Sequence, residues 1–590
     1  MTDETSERRR LEALWRDAHD FDPKDPLLGL SRHDWSGPRL ERRSVLRMLA
    51  ASGLLTTGHL TAALSTAKPA QAQSGGELRC GWFGVGEFRT FDPAQITQVL
   101  LFQITSNVLS GLTHINPELI AEGDLAHDWT VSEDGLEYVF DLRENVSFHN
   151  GDPFTADDVL FTYERSKNPE ISVHHRALAN VESLEKLSDY RVRFRLKAPQ
   201  ASFLVKTLER TSGRVLTIVN KRALEEMGPT QYALTPVGTG PFKMTEHQLG
   251  GAVTLEKFED YFDPERPKLD RVVITPIIDV EPTAAAIEAN DIQLIGGQPL
   301  APELVDRFQQ NPDLTVSIIP GPGFQSLWLN PWHEAMRVED FSKPLDELME
   351  EPGFKARLAI AKGLDRELYI RQAHFGLVEP AYGTVNPAMG FYYDESLGET
   401  SNQRSDLEEA KRLLAEAGYP DGEGFPPMKL VHTPAFRREC QVIKAILERN
   451  LGLSVELDTK DFPVLLDQFQ TMQWDLLRVG SGGDFDPDDA LVDWMQTDSK
   501  FNGRNRDKAE MPFGFFSDPE VDRLIEEQKV TTDRERRREL VQQANRITSD
   551  KVASAFLYHP VDVLVYRNSV TYPPESRITG LVDLDRASIA

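Results

Sequence analysis

The chain has 590 residues, with 65 Lys+Arg against 94 Asp+Glu, a formal charge of −29, and 40% apolar residues. This is a globular composition with enough material for several cores, which excludes a disordered chain. The acidic balance argues against nucleic acid or anionic membrane as main partners, because both require basic patches.

Near the start, Arg42 and Arg43 precede Ser44-Val45-Leu46-Arg47 and an apolar run. Met48–Ala67 lacks charged residues, yet nine of its twenty positions are Ser, Thr, Gly or His. A spanning helix needs about twenty mostly apolar residues, so this run is too polar to suit lipid. Ala70-Gln71-Ala72 fits the small-x-small pattern of a cleavage site. Residues 1–72 therefore read as a twin-arginine-type export signal, cleaved near Ala72/Gln73, with an uncleaved anchor or a core helix as the alternatives.

"ELRCGWF" (77–83) puts Leu78, Cys80 and Trp82 on one face of a strand. Cys80 and Cys440 are the two cysteines. They read as buried free thiols, with a disulfide as the alternative in an oxidising compartment. "LEYVFDLREN" (136–145) alternates Leu136, Tyr138, Phe140 and Leu142 with polar neighbours, a half-buried strand. Thr155 then N-caps a helix, with Asp158 three residues on. His174 and His175 are adjacent and so point apart, which does not suit a shared metal. "YRVRFRLKAP" (190–199) directs Tyr190, Val192, Phe194 and Leu196 one way and Arg191, Arg193, Arg195 and Lys197 the other. The basic face reads as solvated, with an anion site as the alternative. In "VGTGPFK" (237–243), Pro241 removes a donor and no helix with a lysine follows, so a structural turn is favoured over a phosphate cradle.

"SDLEEAKRLLAEAGYPDG" (405–422) is a helix in which Ser405 and Glu408 form a capping box. Leu407, Ala410, Leu413, Leu414 and Ala417 share its apolar face, Gly418 takes the left-handed position after its end, and Pro420 blocks continuation. Two amphipathic helices follow at 517–530 and 532–547, then one or two strands at 553–567. Interleaved strands and helices give a mixed α/β class. No metalloprotease, nucleophile-elbow, P-loop or C-x-x-C motif occurs, and "SLEK" (183–186) lacks the partner motifs of penicillin-binding enzymes. Nothing singles out a carboxylate pair, and no cofactor or metal set is indicated.

Taken together, several segments resemble one family: the extracellular solute-binding proteins of peptide-type ABC importers, family 5. They are "FDPA" (91–94), the run 125–165, "VGTGPFK", "DYFDPERPKLDRVVI" (260–274), "KARLAIAKGLDRELY" (355–369), "EPAYG" (379–383), "AKRLLAEAGYP" (410–420) and "WDLLRVGSGGDFDP" (474–487). The resemblance implies a two-lobe fold with the ligand cleft between lobes. The first lobe is expected at 76–105, 190–297 and 560–590, its inserted subdomain at 106–189, and the second lobe at 298–559. It implies a periplasmic monomer without catalysis. Such a protein closes on a peptide as a hinge and presents it to a membrane permease. The alternatives are an opine, oligosaccharide or metal-chelate ligand, or more distantly a secreted hydrolase. The family's ligand-ammonium aspartate falls on Asp484, with Asp486 as the nearest competitor and a solvated loop acid as the alternative. The family's aromatic two to three residues before that aspartate is absent, with Ser481-Gly482-Gly483 in its place, which widens or reshapes the amine end. Phe102 and Trp328 fall in cleft-bordering segments, with core packing as the alternative. Arg478 is a candidate for a ligand carboxylate, which a guanidinium can hold bidentately, or else a surface arginine at a strand end.

Overall fold

Leu78, Cys80 and Trp82 are all fully buried along the strand Glu77–Phe83, as their alternation predicts. The computed structural model describes residues 75–209, 215–247, 249–482, 485–499, 501–502, 513–576 and 578–590. The twin-arginine stretch, the expected cleavage site and Asp484 lie outside the described residues.

Among the described residues the strands form three sheets of four or more strands. In the first, seven-stranded sheet the order is Leu314–Pro320, Val561–Arg567, Leu294–Gly297, Glu77–Phe83, Arg271–Ile277, Val253–Lys257, Phe242–His247. Glu77–Phe83 pairs in parallel with both its neighbours. The second, six-stranded sheet runs Glu379–Pro380, Ala555–His559, Gly323–Leu329, Leu476–Gly482, Met428–His432, Val455–Thr459. The third, four-stranded sheet runs Ala126–Val131, Glu137–Leu142, Arg191–Leu196, Val181–Ser188. Each sheet has its own apolar cluster, built around Trp82, Trp328 and Phe194 respectively. Mixed sheets assembled in separate bodies match the expected two-lobe α/β architecture.

The edges of these bodies differ from the expected ones. Leu314–Pro320 pairs with Val561–Arg567 in the first sheet, so that sheet runs past 298. Arg191–Leu196 pairs on both sides within the four-stranded sheet, so the inserted sheet runs past 189. The chain passes from first to second sheet through Gly321-Pro322 and returns through Pro560. Proline donates no ladder hydrogen bond, which lets one continuous strand stop and another begin in a different sheet. The two passages touch, with the Gly321 N–H donating to the Pro560 carbonyl at 2.9 Å.

Thr155 and Asp158 form the predicted reciprocal cap. The cap at 405–408 is displaced by one residue. Asp406 accepts from the Glu409 N–H, while Ser405 Oγ donates to the Leu364 carbonyl at 2.7 Å. Ser405 is thus engaged at the end of the helix Pro352–Gly363, and the neighbouring carboxylate, a charged acceptor, takes the cap. In 237–243, a side chain on Gly238 would collide with the Val108 carbonyl, whose oxygen accepts the Gly240 N–H at 2.9 Å. That turn is structural, as expected. The arginines of Arg191–Leu196 meet Asp141, Glu185 and Glu182 on a solvated face. Cys80 and Cys440 are free, buried in different clusters. Among the described residues, no helix is long and apolar enough to cross a membrane.

Candidate functional site

The strand Leu476–Gly482 runs antiparallel to Gly323–Leu329, pairing Ser481 with Phe324 and Gly482 with Gly323. It therefore ends beside the passage between the two sheets. Gly323 has φ of +105°, and a side chain there would collide with the Ser481 carbonyl. Only glycine meets both demands. Ser481 is half-buried at this end, and its carbonyl accepts from Gln325 Nε2 at 3.1 Å.

Segment 578–583 lies against the same end. A Cβ on Gly580 would sit 2.9 Å from Phe485 Cζ, so the close approach again requires glycine. Gln103 ties this segment to the first sheet, donating to the Gly580 carbonyl and accepting from the Gly297 N–H, each at 3.2 Å. Asp562 accepts from Thr579 Oγ1 at 2.9 Å and from the Gly580 N–H. Burial pushes the Asp562 carboxyl above its ordinary value, against those two donors. A gap of about 10 Å³, space for one water, lies between Ser106, Ile115, Ile578 and Leu581. The larger groove, about 1060 Å³, lies elsewhere. It is lined by His149, Gln231, Lys243, His247 and Arg271, all from the first and third sheets and their connections.

Arg478 is fully buried. Its Nε donates to Glu439 Oε2 at 2.8 Å, Nη1 to Gln325 Oε1 at 2.8 Å, and Nη2 to the Tyr558 hydroxyl at 3.2 Å. The Phe436 ring covers the guanidinium at 4.2 Å. Tyr369 donates to Glu439 Oε2 at 2.7 Å, and His374 stands 3.7 Å from Oε1. Burial raises the Glu439 carboxyl, but Arg478, His374 and Tyr369 outweigh it and hold the group below its ordinary value. This network links three strands of the second sheet, Gly323–Leu329, Leu476–Gly482 and Ala555–His559.

Trp328 is buried, stacks on Trp494 at 5.3 Å and donates its indole N–H to the Val479 carbonyl at 2.9 Å. Phe102 is 1% exposed, its ring 6.3 Å from that of His174. Asp486, Asp488 and Asp489 follow Phe485. Arg537 grips Asp486 bidentately at 2.9 and 2.5 Å. Asp488 accepts from Ser202 Oγ at 2.7 Å and Gln528 Nε2 at 2.5 Å. Asp489 meets Lys206 at 2.6 Å. No motif in the sequence singles out Glu439, Gln325, Lys206 or Arg537. For Glu439 a signal existed, because it shares one helical face with Ile443, Ile446, Leu447 and Asn450, where an acid calls for a buried partner.

The sequence profile of the "Bacterial extracellular solute-binding proteins, family 5 Middle" matches residues 121–503. The "Dipeptide-binding protein" of Escherichia coli (strain K12) is 25% identical over 543 residues, covering 87% of this chain and 94% of that protein. The "Di/tripeptide-binding protein 2" of Pseudomonas aeruginosa (strain UCBPP-PA14) is 28% identical over 536 residues, 84% of this chain and 93% of its own length. The solved periplasmic binding protein DppA from Helicobacter pylori, in complex with the peptide STSA, superposes with a TM-score of 0.65 at 24% identity, covering 88% of this chain and 98% of that one.

Proposed function

The chain belongs to the bacterial extracellular solute-binding proteins, family 5, and from that premise we propose that it captures peptides for an ABC importer. The peptide binds between the lobes, the lobes close as a hinge, and the closed form is read by a membrane permease. Ligand contacts made by both lobes exist only when they meet, so binding shifts the population toward closure by that differential affinity. The relatives named as dipeptide- and tripeptide-binding proteins support peptides as the solute class. The observation that carries the reading is the strand Leu476–Gly482, which ends beside both chain passages and leads directly into Asp484.

On this reading Asp484 receives the peptide's α-ammonium, a charge-assisted contact worth roughly 1.5–3 kcal/mol. Small residues, Ser481-Gly482-Gly483, precede it in the sequence. Arg478, committed to Glu439, serves the second sheet rather than a ligand carboxylate. Phe102 and Trp328 serve packing. The protein works as an exported monomer, carried by the twin-arginine machinery and cleaved near Ala72, and it releases its ligand unchanged. A non-peptide solute is the second reading, favoured by the small residues where the family carries an aromatic.

The test is incubation of the purified protein with a peptide pool, followed by mass spectrometry of what it retains. Intact stoichiometric peptide is expected, and cleaved product would overturn the reading. Asp484→Ala and N-acetylation of the recovered peptide should each weaken binding about 10- to 100-fold. Unchanged affinity in both removes Asp484 from the amine role.

A further inference from the structure

Lys206 sits in a π-helical turn, Phe203–Thr207, and nearby Phe203 and Leu208 belong to the core of the four-stranded sheet. Its ammonium reaches Asp489 Oδ1 at 2.6 Å. Asp489 stands in the other body, because the next residues, Ala490 and Leu491, are packed in the cluster around Trp328. The second oxygen of Asp489 accepts the backbone N–H of Phe485 at 3.1 Å and of Asp486 at 3.3 Å. One carboxylate thus holds the loop backbone and is itself met by a cation from across the seam.

The surroundings make that cation necessary. Asp486 has Arg537, and Asp488 has Gln528 and Ser202. Arg537 also lies 3.6 Å from Asp488. Lys206 is the ion-pair partner of Asp489 among the described residues. Burial pushes the Asp489 carboxyl up and Asp486 adds to this, while Lys206 opposes both. The same first-body segment makes two further bridges, from Ser202 to Asp488 and from the Ala201 N–H to the Lys529 carbonyl at 2.7 Å. The segment is therefore docked along its length rather than touching at one side chain.

We infer that Lys206 is a positioning residue for solute binding: it holds Asp489 from across the seam and, through Asp489, the Phe485–Asp486 backbone that follows the proposed ammonium anchor. Its effect on affinity rests on the peptide-binding reading, whereas its effect on the loop does not.

Amide hydrogen exchange at Phe485 and Asp486 in the full chain, without ligand, tests the loop directly. Exchange should rise about ten-fold in Lys206→Met and return nearly to the wild-type rate in Lys206→Arg. Wild-type exchange in Lys206→Met overturns the inference, and thermal melting of all three proteins identifies any variant that fails to fold. Titration with trialanine and N-acetyl-trialanine tests the consequence for binding. The preference for the free amine should shrink about ten-fold in Lys206→Met and recover in Lys206→Arg. An undiminished preference overturns the positioning role. A wild-type chain that binds neither probe overturns the peptide reading, and the exchange result alone then decides for or against Lys206.

Discussion

Arg478 and Lys206 each hold a carboxylate close to the seam, but they do so in opposite ways. Arg478 and its partner Glu439 lie within one body, both buried and surrounded by Gln325, Tyr369, Tyr558 and the Phe436 ring. Lys206 reaches between bodies, and its side chain is 33% exposed. A sealed pair has strong attraction but a large desolvation cost, so removing one partner is expensive. A spanning, part-exposed pair contributes less and is weakened by salt. The first arrangement suits a rigid scaffold, and the second suits a contact that has to respond.

The comparison breaks most readily at the sealed pair. Arg478→Met should cost about 3–5 kcal/mol, measured by denaturant unfolding, because it leaves Glu439 charged and buried. Adding Glu439→Leu should recover most of that loss. If the double variant is no more stable than the single one, Arg478 and Glu439 do not act as a coupled unit.

Acid should sharpen the contrast next. Burial pushes His374 down to about 4 from its ordinary 6.5, although Glu439 opposes this. His149 and His559 are likewise depressed to about 4 by burial. Between these values the unfolded chain binds protons that the folded chain refuses, so stability falls as pH drops from about 6.5 toward 4. Glu439, held below its ordinary value, adds to the loss at the acid end. Asp489 and Asp562, held above theirs by burial, bind protons more readily in the folded chain and so work the other way. His374→Gln should flatten the dependence, and an unchanged slope would remove His374 from this account.

The smallest effect belongs to the spanning contact. Ser202→Ala should cost about 1 kcal/mol, since Asp488 keeps its bond from Gln528. A loss as large as that of Arg478→Met would show that the spanning region is as rigid as the sealed one.

Much of the fold was legible because period and capping are local signals. Leu78, Cys80 and Trp82, the alternation at 190–199, and the Thr155–Asp158 box each declare themselves within a few residues. The edges of the bodies were less so. Strand Leu314–Pro320 carries no mark of the sheet it joins, because its partner Val561–Arg567 is far along the chain. The same distance hid the state of Arg478. In "DLLRVG" it reads as a ligand-facing or an exposed arginine, and Glu439, thirty-nine residues earlier on a helix, is the charged partner that lets it be buried. Asp406 took the cap from Ser405 because Leu364, on a neighbouring element, had engaged the serine hydroxyl. Contacts of this kind are set by topology, and local pattern does not record them.

Val561–Arg567 lies between Leu294–Gly297 and Leu314–Pro320 in the first sheet, and among the described residues Leu314–Pro320 pairs with that strand alone. During synthesis the amino-terminal lobe must therefore wait, unfinished, while more than two hundred intervening residues emerge from the ribosome. Nonsense or frameshift changes just before the codons of Val561–Arg567 would cripple the lobe made first, although the one made second would be nearly whole.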